Sequence, residues 1–436
     1  MRPGARIGAV IEILEDLEAR AVPADRVVTA YTRSRRYVGS KDRREIGDLT
    51  YSALRTWLRV TWWLERTGCA EATTRARLLA VLVLAKKMTP EDLEMFFDGE
   101  GYGPSRLTAD EQSLIAALSG AGLEHPEQPA WVRDEVAPWL HGHLQARFSE
   151  DMAVEMSALQ QEAEVVLRVN SLKGDRASAQ NALAKDSVET HETRISPIGL
   201  RVEGRRALQA SGAFRDGLIE VQDEGSQLIA LLCDVQPGMA VADYCAGAGG
   251  KTLGLAANMK SRGRLVALDL DGERLRRAVP RLERAGVGAV EQRRLPDNEW
   301  VRENAGTFDR VLVDAPCSGS GVWRRQPDAR LALTPERLQE YLTAQTEVMQ
   351  AAAGLVRPGG RLIYATCSLL QEEDEAQVEA FLKNNDEFTQ CRISDVWASV
   401  LPEVACPTEE AHLLLTPHKH GTDGFFVSVL ERRAGG

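Results

Sequence analysis

The chain has 436 residues, 44% hydrophobic and 27% charged, which fits a soluble globular protein of two or three domains. Its apolar runs fall far short of the roughly 20 residues that span a membrane, and the acidic stretch at residues 11–16 does not suit a signal peptide. The formal charge of −11 speaks against nucleic acid only as an average, because binding depends on local patches.

Residues 5 to about 150 carry apolar residues at helical spacing, as in Ile7-Val10-Ile11-Leu14-Leu17 and Leu49-Leu54-Leu58. Residues 78–84 read as a fully buried helix, residues 131–148 as one further helix, and Ser40 as an N-cap. Between Arg26 and Arg66 lie ten basic and four acidic residues, a local charge of +6. Tyr31, Tyr37, Tyr51 and Trp57 are interleaved with them. This pattern suits phosphate contact with base stacking; a solvated helix face over core aromatics fits it equally.

Around residue 165 the texture changes to a small mixed α/β module, covering residues 151–218. From residue 219 to 433, strand candidates at 240–243, 265–269, 289–292, 310–314 and 361–365 alternate with helices. Such alternation predicts a doubly wound, Rossmann-like α/β domain. Residues 412–416 and 424–430 read as an antiparallel hairpin, and 434–436 as a loose tail.

Tyr244-Cys245-Ala246-Gly247-Ala248-Gly249-Gly250-Lys251-Thr252 follows a strand and opens a helix. Glycines there let the backbone approach a ligand, and the helix N-terminus adds positive potential. Asp269 ends the next strand, where an acid typically binds ribose hydroxyls. A tight turn without ligand is the plain alternative. Gly250-Lys251-Thr252 also looks like the end of a phosphate-binding ATPase loop, but the first glycine of that pattern falls on Cys245.

The seven cysteines contain no CxxC pair, which argues against a zinc ribbon, a disulfide framework or another metal site and fits a reducing cytoplasm. Cys69, Cys233, Cys391 and Cys406 read as inert small hydrophobes. Cys317 and Cys367 differ, since each stands where an apolar run breaks into a polar loop. Strand ends of an α/β sheet are where ligands bind. Two thiols there suit covalent catalysis beside a cofactor; a redox pair is the alternative, but it leaves Asp314 and the glycine loop without a task.

Asp314-Ala315-Pro316-Cys317-Ser318-Gly319 and Ala365-Thr366-Cys367-Ser368 resemble the two cysteine motifs of the Sun, or RsmB-type, family of RNA cytosine-5 methyltransferases. Cys245 to Thr252 resembles that family's S-adenosylmethionine loop, with Ala248 where proline is usual. Val221-Gln222-Asp223-Glu224-Gly225-Ser226-Gln227 resembles its lead-in, and His420-Gly421-Thr422-Asp423-Gly424-Phe425-Phe426 its closing motif. Leu167-Arg168-Val169-Asn170-Ser171-Leu172-Lys173 is similar to its small RNA-contacting module. Ser40-Lys41-Asp42-Arg43-Arg44 through Leu54-Arg55 is similar to the NusB-type helical RNA-binding domain, so residues 1–150 are expected to be that domain. The acid that usually follows the third strand is missing: its place falls near Arg293, leaving Asp297 as a substitute and the adenine contact unassigned.

The resemblance implies S-adenosylmethionine as cofactor, held by Cys245, Ala246, Gly247, Ala248, Gly249, Gly250, Lys251, Asp269 and Asp314. It implies methyl transfer to C5 of a cytosine in RNA, with ribosomal RNA of the small subunit expected and transfer RNA as the other candidate. From chemistry alone either thiolate can attack C6; the resemblance assigns Cys367 as nucleophile and Cys317 to release, with Asp314 on the cytosine edge. Arg324 and Arg325 read equally as phosphate contacts or surface charge. The competing function is a non-catalytic RNA-binding or assembly factor that keeps the fold.

Overall fold

The computed structural model describes residues 1–20, 22–69, 71–204 and 206–434. Of the expected loose tail, Gly435 and Gly436 lie outside the described residues. The chain forms two compact units, Met1–Gln161 with Trp323–Leu333, and Glu162–Val322 with Thr334–Gly436. No helix among the described residues is long and apolar enough to cross a membrane.

The first unit is helical. Its centre is the helix Thr74–Leu84, where nine residues are buried, as the unbroken apolar run demands. The surrounding helices Pro3–Ala19, Ser40–Arg55 and Trp57–Arg66 turn apolar stripes onto it. Two expectations need correction. Gly39, not Ser40, is the N-cap of its helix. The expected helix at 131–148 is two helices, Ala130–Arg133 and Pro138–Phe148, because Glu135 has φ +57° and Pro138 opens the second.

Glu135 is also the electrostatic hub of this unit. It has 0% exposure and accepts hydrogen bonds from the backbone N–H groups of Leu58 (2.9 Å) and Arg59 (3.1 Å) and from Arg59 Nε (2.9 Å). Arg330, on the segment returning from the other side of the sequence, lies 3.5 Å from the same carboxylate and donates to the Leu54 carbonyl. Burying one carboxylate is tolerable here because two guanidinium groups and two helix-start amides surround it.

The second unit holds two sheets. In the smaller, β1 (Val166–Val169), β2 (Thr190–Glu192), β3 (Gly199–Val202) and β4 (Ile219–Val221) run in the order β2-β3-β1-β4, all antiparallel. The larger contains β5 (Ala240–Asp243), β6 (Arg264–Asp269), β7 (Glu291–Arg294), β8 (Phe308–Asp314), β9 (Val356–Thr366), β10 (Phe388–Gln390), β11 (Leu413–Leu415) and β12 (Phe425–Arg432). Its order is β10-β12-β9-β8-β5-β6-β7, with β11 paired to β12. Strands β5 to β9 are parallel and β12 is antiparallel to β9, so the doubly wound Rossmann-like arrangement holds. Helices pack over both faces, which is why β8 and β9 read as near-continuous apolar runs.

The third strand lies two residues beyond its expected position, because Ala289 and Val290 carry apolar character up to the strand while Glu291 to Arg294 form it. The chain reverses direction across the sheet between β5 and β8, and such a switch point opens a ligand crevice at the carboxyl ends of the strands.

Candidate active site

Register brings the chemistry together. Asp314 closes β8 opposite Ala365 of β9, so the residue two positions beyond Ala365, Cys367, emerges beside it. Asp243 closes β5 opposite Leu312 of β8, which puts the glycine loop on the other flank. Three adjacent strand ends therefore carry the loop, the carboxylate and both thiols.

The loop is shaped by its own backbone. Gly247 (φ +56°) and Gly249 (φ +78°) take left-handed conformations, and a Cβ at Gly249 would come 2.8 Å from the Ala278 side chain. Ala246 N–H donates to the Leu268 carbonyl and Gly247 N–H to Asp269 Oδ2 (2.7 Å), tying the turn to the end of β6. Asp269 has 6% exposure, and its other oxygen accepts from Asp271 N–H (2.8 Å). Ala248 gives its carbonyl to Arg281 (2.6 Å). Cys245 is half-buried, and burial pushes its thiol pKa up, so it serves the loop as a neutral side chain.

Lys251, on the first turn of the helix Gly250–Asn258, donates to Asp314 Oδ2 at 2.7 Å. Its side chain is 9% exposed and that of Asp314 31%. Burial opposes the ammonium charge, but Asp314, with a further contribution from Cys367, outweighs it and raises the Lys251 pKa. Asp243 lies deeper, at 0% exposure, and accepts from Thr252 Oγ1 at 2.6 Å. Burial and the neighbouring Asp314 charge push its pKa up to about 7. Asp243 Oδ1 is buried with no hydrogen-bond partner. A crevice whose wall holds a carboxylate oxygen lacking a partner fits a cationic group.

The two thiols face each other, with Cys317 Sγ 3.4 Å from Cys367 Sγ. The hydrogen bond to Cys367 is the largest influence on Cys317, and together with burial it holds that thiol in its protonated form well above the usual range. The loops bearing them are joined directly: Gly321 N–H donates to the Cys367 carbonyl (2.9 Å) and Leu369 N–H to Ser320 Oγ (2.7 Å).

The remaining motifs turn out to be supports. A Cβ at Gly321 would come 2.2 Å from the Gly424 carbonyl oxygen, so the closing motif packs backbone to backbone on the Cys317 loop. Gly225 accommodates the Phe425 ring, and Asp223 accepts from Asp423 N–H at 3.2 Å, which joins the lead-in to that motif. Arg168, 3% exposed on β1, donates from Nη1 to Gln222 Oε1 and to the Gly250 carbonyl, both at 2.8 Å. It braces the glycine loop from behind.

Arg324 is 8% exposed, so it is not surface charge, and its carbonyl accepts from Arg55 within the helical unit; Arg325 is half-buried. Asp297 caps the helix Asn298–Glu303 by accepting from Trp300 N–H, and Arg293 pairs with Glu291 (2.8 Å).

Residues 230–431 match the family described as 16S rRNA methyltransferase RsmB/F, and residues 137–209 match the ferredoxin-like domain of RsmF/B-like methyltransferases. The chain is 30% identical over 270 residues to the probable ribosomal RNA small subunit methyltransferase B of Bacillus subtilis, covering 61% of this chain and 59% of that one. It thus spans about three fifths of that relative's length. It is 27% identical over 414 residues to the ribosomal RNA small subunit methyltransferase B of Salmonella newport, covering 91% and 92% of the two chains. The solved structure of PH0851 superposes with a TM-score of 0.80 at 25% identity, covering 99% of each chain.

Proposed function

The chain belongs to the RsmB/F family of methyltransferases, and from that premise we propose that it transfers a methyl group from S-adenosylmethionine to C5 of a cytosine in ribosomal RNA of the small subunit. The observation that carries this reading is the cluster of Lys251, Asp314, Cys317 and Cys367 at adjacent strand ends beside the glycine loop. A binding-only factor has no use for two thiols at 3.4 Å in that place.

The backbone of Cys245 to Gly250 would hold the cofactor, with Asp269 available to its ribose hydroxyls and Asp243 and Asp314 to its positive charge. When bound, it supplies an electrophilic methyl group. Cys367 is the nucleophile. Its sulfur forms a bond to C6 of the cytosine, and the C5=C6 electron pair moves so that C5 becomes nucleophilic and takes the methyl group, whose bond to the sulfonium sulfur breaks with its electron pair left on that sulfur as a neutral thioether. Lys251 places a positive charge near Cys367. Asp314, fixed by Lys251, accepts from the cytosine edge and stabilises the adduct. Solvent water then takes the C5 hydrogen as a proton, the C–H electron pair restores C5=C6, and the C6–S bond breaks to return the Cys367 thiolate. Cys317 assists that release, and its protonated state fits a residue that does not compete for C6.

A cytosine inside a duplex cannot reach these groups, so the target is single-stranded, looped or flipped out. The helical unit binds RNA through Arg26, Arg33, Arg36, Lys41, Arg43 and Arg44, all exposed, with exposed Tyr37 stacked on Tyr102 at 5.3 Å. The enzyme works in the cytoplasm. Purified full-length protein with labelled S-adenosylmethionine should label small-subunit ribosomal RNA and leave transfer RNA unlabelled; label on transfer RNA alone would refute the target, and label on neither would favour the binding factor.

A further inference from the structure

Glu373 lies in the turn before the helix Glu375–Asn384, with 0% exposure. An ionised carboxylate is acceptor-only and offers about four lone-pair sites. Here four donors fill them. Oε1 accepts from Ser318 N–H (2.8 Å) and Gln345 Nε2 (2.9 Å); Oε2 accepts from Ser318 Oγ and from Ser368 Oγ (2.5 Å). Ser318 follows Cys317 in the chain and Ser368 follows Cys367. Gln345 also donates to the Pro316 carbonyl (2.9 Å), on the other side of Cys317. The Glu373 carbonyl in turn accepts from Tyr364 Oη (2.6 Å) on β9. A single side chain thus grips both cysteine loops at the residues next to their thiols.

We propose that Glu373 is a positioning residue: by joining Ser318 to Ser368 it sets the spacing of the Cys317 and Cys367 sulfurs. It touches neither thiol, so it acts through the loops it holds. The inference rests on the reading of the two cysteines as the reacting pair. Its physical content is the sulfur–sulfur distance, which can be measured without RNA or cofactor.

Phenylarsine oxide measures that spacing. Its arsenic forms two As–S bonds with a close pair of thiols, and the oxygen leaves as water with the two thiol hydrogens. Such a bridge resists monothiols and yields to dithiols. Full-length protein should capture one equivalent that resists a monothiol, and Cys317→Ala or Cys367→Ala should each abolish it. Glu373→Gln keeps the reach and an acceptor oxygen, and the serine hydroxyls can turn to accept from its amide, so it should capture as wild type does. Glu373→Asp keeps the charge but is one methylene shorter, and should lose capture at least tenfold while still melting cooperatively. If Glu373→Asp does not fold, the Ser318→Ala/Ser368→Ala double variant takes its place with the same expected loss. Capture by Glu373→Asp, or by the double variant, at the wild-type level would overturn the inference. So would capture that persists without either cysteine. Wild-type methyl transfer, assayed separately, reports on the functional reading alone.

Discussion

Lys251 shows how one side chain serves two neighbours. Removing its charge leaves Asp314 without its partner in a mostly buried crevice and takes positive potential from Cys367. Lys251→Met should therefore lower methyl transfer by roughly 10²-fold, the scale on which one preorganised electrostatic contact acts, measured as kcat on saturating RNA; a change under threefold would contradict the role. Asp243 gives a stability prediction. Its pKa rises on folding from 3.8 to about 7, so the folded state binds the extra proton between those values. Stability contributed by the protonated group is complete below about pH 4 and is lost as pH rises toward 7, at up to about 1.4 kcal/mol per pH unit. Asp243→Asn abolishes the titration, so its melting temperature in the cofactor-free protein should exceed that of wild type by a margin that widens from pH 5 to pH 8. An equal margin at both pH values would show that Asp243 is ionised throughout. The thiols and Asp314 were legible in the sequence because a polar residue at the end of an apolar run marks a strand end. Glu373, and the part Arg168 plays behind the glycine loop, were not, because Ser318 and Gly250 lie 55 and 82 residues away from them along the chain and no local period announces the contacts.

Among elements, the two cysteine loops depend on β8, β9 and the closing strand β12. Gly321 and Gly424 meet backbone to backbone, so Gly321→Ala must push one loop away. It should cost about 1–3 kcal/mol, the scale of overpacking, and should slow methyl transfer beyond what the fraction folded explains; full activity at unchanged stability would refute the packing. The alternating strands and helices of the sheet were predictable from periodicity. The short strands β2, β4 and β10 were missed, since three residues are too few to show a period of two. The expected helix at 131–148 failed for a different reason. Its apolar spacing is helical throughout, and a buried carboxylate at a left-handed Glu135 overrides it.

Across the whole molecule, a net charge of −11 coexists with a basic stretch on the helical unit. RNA binding should therefore weaken steeply with salt, with log K falling linearly against log salt concentration. The double variant Arg33→Ala/Arg36→Ala should reduce that slope by about 2, about 1 for each lost phosphate contact; an unchanged slope would remove this face from the RNA interface. The helical nature of this unit was legible from the helical spacing of its apolar residues. That Trp323–Leu333 belongs to it was not, because sequence order places those residues directly after the Cys317 loop and contacts distant in sequence, such as Arg330 with Glu135 and Arg55 with Arg324, reveal the join.

The central claim is the division of labour between the thiols, and the most direct measurement is the trapping of covalent protein–RNA adduct. Cys317→Ala and Cys367→Ala would each be incubated with S-adenosylmethionine and unmethylated small-subunit ribosomal RNA, then separated under denaturing conditions. A stable adduct with Cys317→Ala and none with Cys367→Ala is the predicted result. Adduct with Cys367→Ala and none with Cys317→Ala would contradict it and reassign the nucleophile to Cys317.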